Sequence, residues 1–154
     1  MKTFPLEQHL PDVVIAVNNA SFLLPCDWVC AGDQSMIEKL TLAPHQHLCI
    51  PEQVSSFPIE SQIRYTLPWQ ALTLPTSPTR QVECMYSVVV AVSLAVWLGA
   101  TGPVKIYGMD WGGDKACDGS EYTLDNKEHW DTEKEELRQI SKMLNVPLLR
   151  ILPI

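Results

Sequence analysis

Apolar residues arrive along this chain in short bursts, and the spacing within each burst predicts an element. "DVVIAVN", residues 12–18, carries apolar side chains at consecutive positions. That suits a strand covered on both faces. "DWVCAGD", 27–33, is a second such run with an acid at each end. "HLCIP", 47–51, is a third, stopped by Pro51, and "IRYTLPW", 63–69, is a weaker fourth. Between the second and third runs, "QSMIEKL", 34–40, has the spacing of one helical face, with Asp33 placed to cap it. Residues 68–83 hold Pro68, Pro75 and Pro78 among Thr and Ser, and read as a loop placed to cover a site.

The longest apolar run, 86–98, is rich in valine, which by itself favours a strand. Its length exceeds that of a usual buried strand, so the prediction is a buried helix. Ser87, Ala91 and Ala95 would form a small-residue stripe that a sheet backbone can approach, and Gly99 stands where a helix ends. "PVKIYGMD", 103–110, predicts a strand beside the centre of the sheet over 103–108, followed by a loop over 111–126. "HWDTEKEELRQISKML", 129–144, predicts an amphipathic helix with Trp130, Leu137, Ile140 and Leu144 on one face. Its acids come early and Arg138 and Lys142 late, as the helix dipole prefers. "VPLLRIL", 146–152, predicts a closing strand. Strand–helix alternation of this kind predicts one α/β domain over 1–154. The expected form is a three-layer, doubly wound, mainly parallel sheet, a truncated Rossmann-like fold.

Composition narrows the function. A chain of 154 residues with 46% hydrophobic content can build a core. The net charge of −7 comes without any Lys or Arg run, which argues against nucleic acid as a partner. The opening "MKTFPLEQHLPD" has no apolar core of a targeting signal, and 87–100 is shorter than the roughly 20 residues of a membrane span. The expectation is a cytoplasmic protein with no transmembrane segment. The five cysteines, irregularly spaced, read as reduced thiols with no zinc pattern.

In parallel sheets ligands gather beyond the carboxyl ends of the strands. That rule selects Asn18 and Asn19, Asp33, and the Gly108–Asp110 loop. The two amides can read a base or a sugar hydroxyl, or can close an Asx turn. Asp33 and Asp110 can hold a divalent cation or sugar hydroxyls, or serve as a helix cap and a loop contact. Asn18, Asp33, Ser87 and Asp110 are expected to face one cleft. His129, read as the first residue of its helix, is a candidate general base, because a helix N-terminus disfavours imidazolium. The structural alternative is an exposed first-turn histidine. His45 and His47 form an H-x-H pair, a weak metal signal. No dinucleotide fingerprint, P-loop or nucleophile elbow occurs, so nicotinamide enzymes, P-loop enzymes and α/β-hydrolases are poorly supported.

Ser87, "AVWLG", "VKIYGMD", "DGSEYTLD", His129 and "ELRQISKMLNVPLLRI" follow one another in the second half. That half resembles the bacterial sialyltransferases that act on lipooligosaccharide. It also resembles the related motility-associated glycosyltransferase-like and hydroxymethylpterin pyrophosphokinase-like proteins. The resemblance implies a glycosyltransferase-like domain binding a nucleotide or nucleotide-sugar, bacterial or phage-encoded. It implies that Asn18 and Ser87 contact the nucleotide, with Asp33 near a further contact. Tyr122 would stabilise the departing phosphate and His129 would activate an acceptor hydroxyl. The family's glycine turn after its first strand has no counterpart here. A truncated, non-catalytic binding or assembly module therefore stands beside the transferase. A third reading is pyrophosphoryl transfer to a pterin with Mg²⁺ on Asp33 and Asp110. Self-association is open.

Overall fold

The computed structural model describes residues 13–23, 25–40, 46–51, 62–65, 86–109, 111–112, 115 and 121–151. In order these form β1 (Ile15–Val17), a 3-10 helix (Asn18–Phe22), β2 (Trp28–Cys30), α1 (Gln34–Ile37) and β3 (His47–Pro51). They continue with β4 (Gln62–Tyr65), α2 (Ser87–Trp97), β5 (Val104–Tyr107), α3 (Leu124–Leu144) and β6 (Leu148–Ile151). The expected loop over 68–83, Cys84, Cys117, His45 and Asp110 lie outside the described residues.

β1, β2, β3 and β4 make one sheet in that order, every pairing parallel. The consecutive apolar positions divide between its two faces, as the period of two requires. Val14, Ala16, Val29, Leu48 and Ile50 pack with Met36, Ile37 and Leu40 of the α1 segment. Ile15, Val17, Trp28, Cys30 and Cys49 pack instead with the valines of α2. Asp27 stitches the entry side together. Its carboxylate accepts the Val14 N–H at 2.7 Å and its carbonyl accepts the His47 N–H at 2.9 Å.

α2 is a helix, as length argued, and it is buried from Val88 through Leu94. It is apolar nearly all round, the pattern of a core helix. The deepest residues are Val89, Ser93 and Leu94, followed by Val90 and Val92; the predicted stripe of Ser87, Ala91 and Ala95 is the less buried side. The one polar side chain in its buried stretch, Ser93, donates to the Val89 carbonyl at 3.2 Å.

Both long helices end in the same motif. Gly99, at φ +103°, donates to the Val96 carbonyl, and Ala100 donates to the Ala95 carbonyl. Asn145, at φ +52°, donates to Lys142, and Val146 donates to Ser141. These are Schellman closures, built by the two residue types that best tolerate a positive φ. Proline follows each, and Pro147 then accepts the Val104 N–H at 2.8 Å, where β5 and β6 begin to pair. Gly99→Ala is expected to cost about 1–2 kcal/mol, because Cβ disfavours that backbone although it meets no atom within 4 Å. A urea titration showing no loss would contradict the closure.

One expectation is corrected. β5 does not lie at the centre of the main sheet; it pairs with β6 in a separate two-stranded parallel sheet. A central strand needs two apolar faces. β5 has one, Val104 and Ile106 packing on the α2 cluster, while Lys105 between them is exposed. The chain is therefore α/β, built on short parallel strands, and among the described residues no helix is long and apolar enough to cross a membrane.

Candidate functional site

Parallel pairing places Asn18 and Asp33 at the same end of the four-stranded sheet, where β1 and β2 finish. Asn18 takes a left-handed backbone, φ +49°, and its carbonyl accepts the Ser21 hydroxyl at 2.8 Å. Its side-chain Oδ1 is buried with no hydrogen-bond partner among the described residues. An acceptor removed from water without a donor is costly, by roughly 1–3 kcal/mol. Asn19 is partly buried in the same 3-10 helix. Asp33 holds the cap position of α1, with its carbonyl accepting from Met36 and Ile37. Its exposed carboxylate makes no capping bond.

Ser87 is the first residue of α2, a helix that packs across β1 and β2. Tyr86, just before it, makes no side-chain cap. Tyr122 sits ahead of α3 with its ring edge-on to Trp130, centroids 5.3 Å apart. An antiparallel bridge between Lys115 and Glu121 precedes it. His47, at the head of β3, stacks on its register partner Trp28 at 4.7 Å. Among the described residues no three His, Cys, Asp or Glu side chains gather as metal ligands.

His129 is placed differently from expectation. α3 begins at Leu124, and Lys127 N–H closes its first turn on the Thr123 carbonyl. Thr123 is a residue type that starts helices, and the polar run after it continues the helix rather than a loop. His129 is thus in the second turn, exposed, beyond the reach of the helix-end dipole. Its ring faces that of Tyr86, tilted by 59° at 6.2 Å.

That contact belongs to a cluster that sequence reasoning missed. Trp111, in the loop after β5 and at φ +45°, donates its indole N–H to Glu133 of α3 at 2.8 Å. Burial pushes the Glu133 carboxyl up. The Trp111 hydrogen bond opposes that shift and the charge of Glu136 adds to it. Burial also raises the Tyr86 phenol, followed by the charges of Glu136 and Glu133, against a hydrogen bond with Thr132. Two cations stand by the indole ring, Lys134 at 5.4 Å and Arg150 of β6 at 5.2 Å. Cation–π attraction holds them there. The cluster joins the head of α2, the loop after β5, α3 and β6. It offers two aromatic surfaces, a carboxyl inclined to keep its proton, and an exposed imidazole. Such a combination can bind hydroxyl-rich ligands and pass protons. One sequence signal pointed to it: Glu133 falls between Trp130 and Leu137 on the buried stripe of α3, a charge where an apolar residue is expected.

The structure thus brings His129 beside Tyr86, the neighbour of Ser87, and sets Asn18 and Asp33 at one sheet end. The chain matches no protein-family model, no curated protein and no solved structure.

Proposed function

We propose that this chain is a glycosyltransferase-like domain that binds a nucleotide or nucleotide-sugar beyond the carboxyl ends of β1 and β2. In this reading the sheet is the trimmed core of a three-layer, doubly wound, Rossmann-like fold. The observation that carries it is Asn18: a buried amide oxygen without a donor, at the end of a parallel strand. A base amino group or a sugar hydroxyl supplies that donor. The resemblance of the second half to sialyltransferases supports the same ligand class, with Ser87 as a second contact. In a transfer reaction, His129 takes the proton of an acceptor hydroxyl as its oxygen bonds to the anomeric carbon. The bond from that carbon to the donor phosphate breaks, and the Tyr122 hydroxyl stabilises the phosphate.

Binding without transfer has support of its own. β1 runs directly into the 3-10 helix Asn18–Phe22, where the family has a glycine turn for the nucleotide. The Tyr122 ring packs on Trp130. A calorimetric screen of nucleoside mono- and diphosphates and their sugars, with and without Mg²⁺, tests the reading. At least one should bind, and Asn18→Gly should weaken it about tenfold, the loss expected for one good hydrogen bond. Glycine accepts the left-handed backbone, so this variant stays folded. A panel in which nothing binds overturns the proposal. Turnover abolished by His129→Ala separates a transferase from a binding module.

A further inference from the structure

We propose that Cys30 and Cys49 form a cross-strand dithiol that a small peroxide closes to a disulfide, tying β2 to β3 beneath α2. The two residues are register partners on adjacent parallel strands. Both are thiols, and both lie in the cluster beneath α2, so their side chains leave the same face of the sheet. Neighbouring strands run about 4.7–4.9 Å apart. Disulfides span Cα separations of about 4.4–6.8 Å, so the backbone already stands within bridging distance. Cys26 is also a buried thiol but packs in the cluster on the opposite face, which removes it from competition.

The same burial decides when the bond forms. Cys30 is 1% exposed and Cys49 is 0%, in the same buried cluster as the valines of α2. Burial of this depth keeps oxidants out. Reaction therefore waits for this cluster to open. One thiolate then attacks a peroxide oxygen, the O–O bond breaks and hydroxide leaves, giving a sulfenic acid. The second sulfur attacks the first, the S–O bond breaks, and the S–S bond forms. The two sulfurs lose two electrons to the peroxide, which ends as two waters. A sulfenic acid with a thiol as its nearest neighbour is resolved before it is oxidised further. The pair is thus a modification site whose rate reports the opening of the buried cluster it lies in.

The experiment treats the full chain with dilute hydrogen peroxide under native conditions, followed by intact mass and peptide mapping. The expected product has lost two hydrogens, joins the peptides of Cys30 and Cys49, and reverts with dithiothreitol. Urea below the unfolding transition should raise its rate several-fold. A second chain with Cys26→Ala, Cys84→Ser and Cys117→Ser keeps only the pair and should give the same product. Linkage of Cys30 or Cys49 to another cysteine overturns the proposal. So does sulfinic acid at either residue, or two thiols still open to alkylation after unfolding.

Discussion

Leu94→Ala is expected to lower the free energy of unfolding by about 2–5 kcal/mol. Leu94 lies in α2 with no exposed surface, in the cluster shared with β1, β2 and α3. α2 contacts all three of those elements. Its own sequence, SVVVAVSLAVW, gives little reason to be helical, because β-branched valines lose side-chain freedom against the preceding turn. Packing therefore holds the helix, and a cavity under it removes the support directly. Domains of this size are stable by only about 5–15 kcal/mol, so one substitution takes a large share. Leu94→Met keeps the volume and should cost less than about 1.5 kcal/mol. Urea titration followed by circular dichroism measures both. A loss below about 1 kcal/mol for the alanine would show that α2 is not a buried element.

Glu133→Gln should reshape the dependence of stability on pH. The Glu133 carboxyl is raised above its ordinary value of 4.5, first by burial and further by Glu136, with the Trp111 bond opposing. A raised acid is protonated in both states at low pH. As pH climbs past 4.5 the unfolded chain ionises while the folded chain keeps its proton, so folding loses stability until the folded group also ionises. Glutamine stays neutral throughout, and its amide oxygen still accepts the Trp111 N–H. The variant and the parent should therefore melt alike near pH 4, and the variant should gain over the parent as pH rises until the folded carboxyl also ionises. Glu136 and Tyr86 are coupled electrostatically to the same group, so the melts are compared at fixed salt. A parent that gains on the variant as pH rises would refute the burial of Glu133.

Local pattern sufficed for elements whose cause is local. Consecutive apolar residues gave β1 to β3, and the stripe through Leu137 and Ile140 gave the buried side of α3. Gly99 marked the end of α2 because one backbone conformation needs that residue. What escaped depended on partners distant in the chain. Nothing near Trp111 announces Glu133, 22 positions on. The isolation of β5 was readable in Lys105 but was outweighed by the expectation of a single sheet. The start of α3 was missed because a polar first turn looks like loop until the hydrogen bond to Thr123 is seen. For the site, residue type pointed to Asn18, Ser87 and His129. No short-range pattern could foresee the unpartnered oxygen of Asn18 or the ring of Tyr86 beside His129.

The pairing pattern also governs how the chain reaches this state. Among the described residues all four ladders are parallel, joining β1 to β2, β2 to β3, β3 to β4 and β5 to β6. A parallel pair cannot be nucleated by a tight hairpin, because the chain must first cross back along the strand it has just made. Each ladder therefore pays loop-closure entropy before its hydrogen bonds return anything. α3 is the longest segment able to form from neighbours alone, on the sub-microsecond to microsecond scale of helices. The four-stranded sheet must wait for α2, which packs on β1, β2 and α3. Refolding should be limited by that late assembly, with helical signal rising ahead of the burial of Trp28 and Trp97.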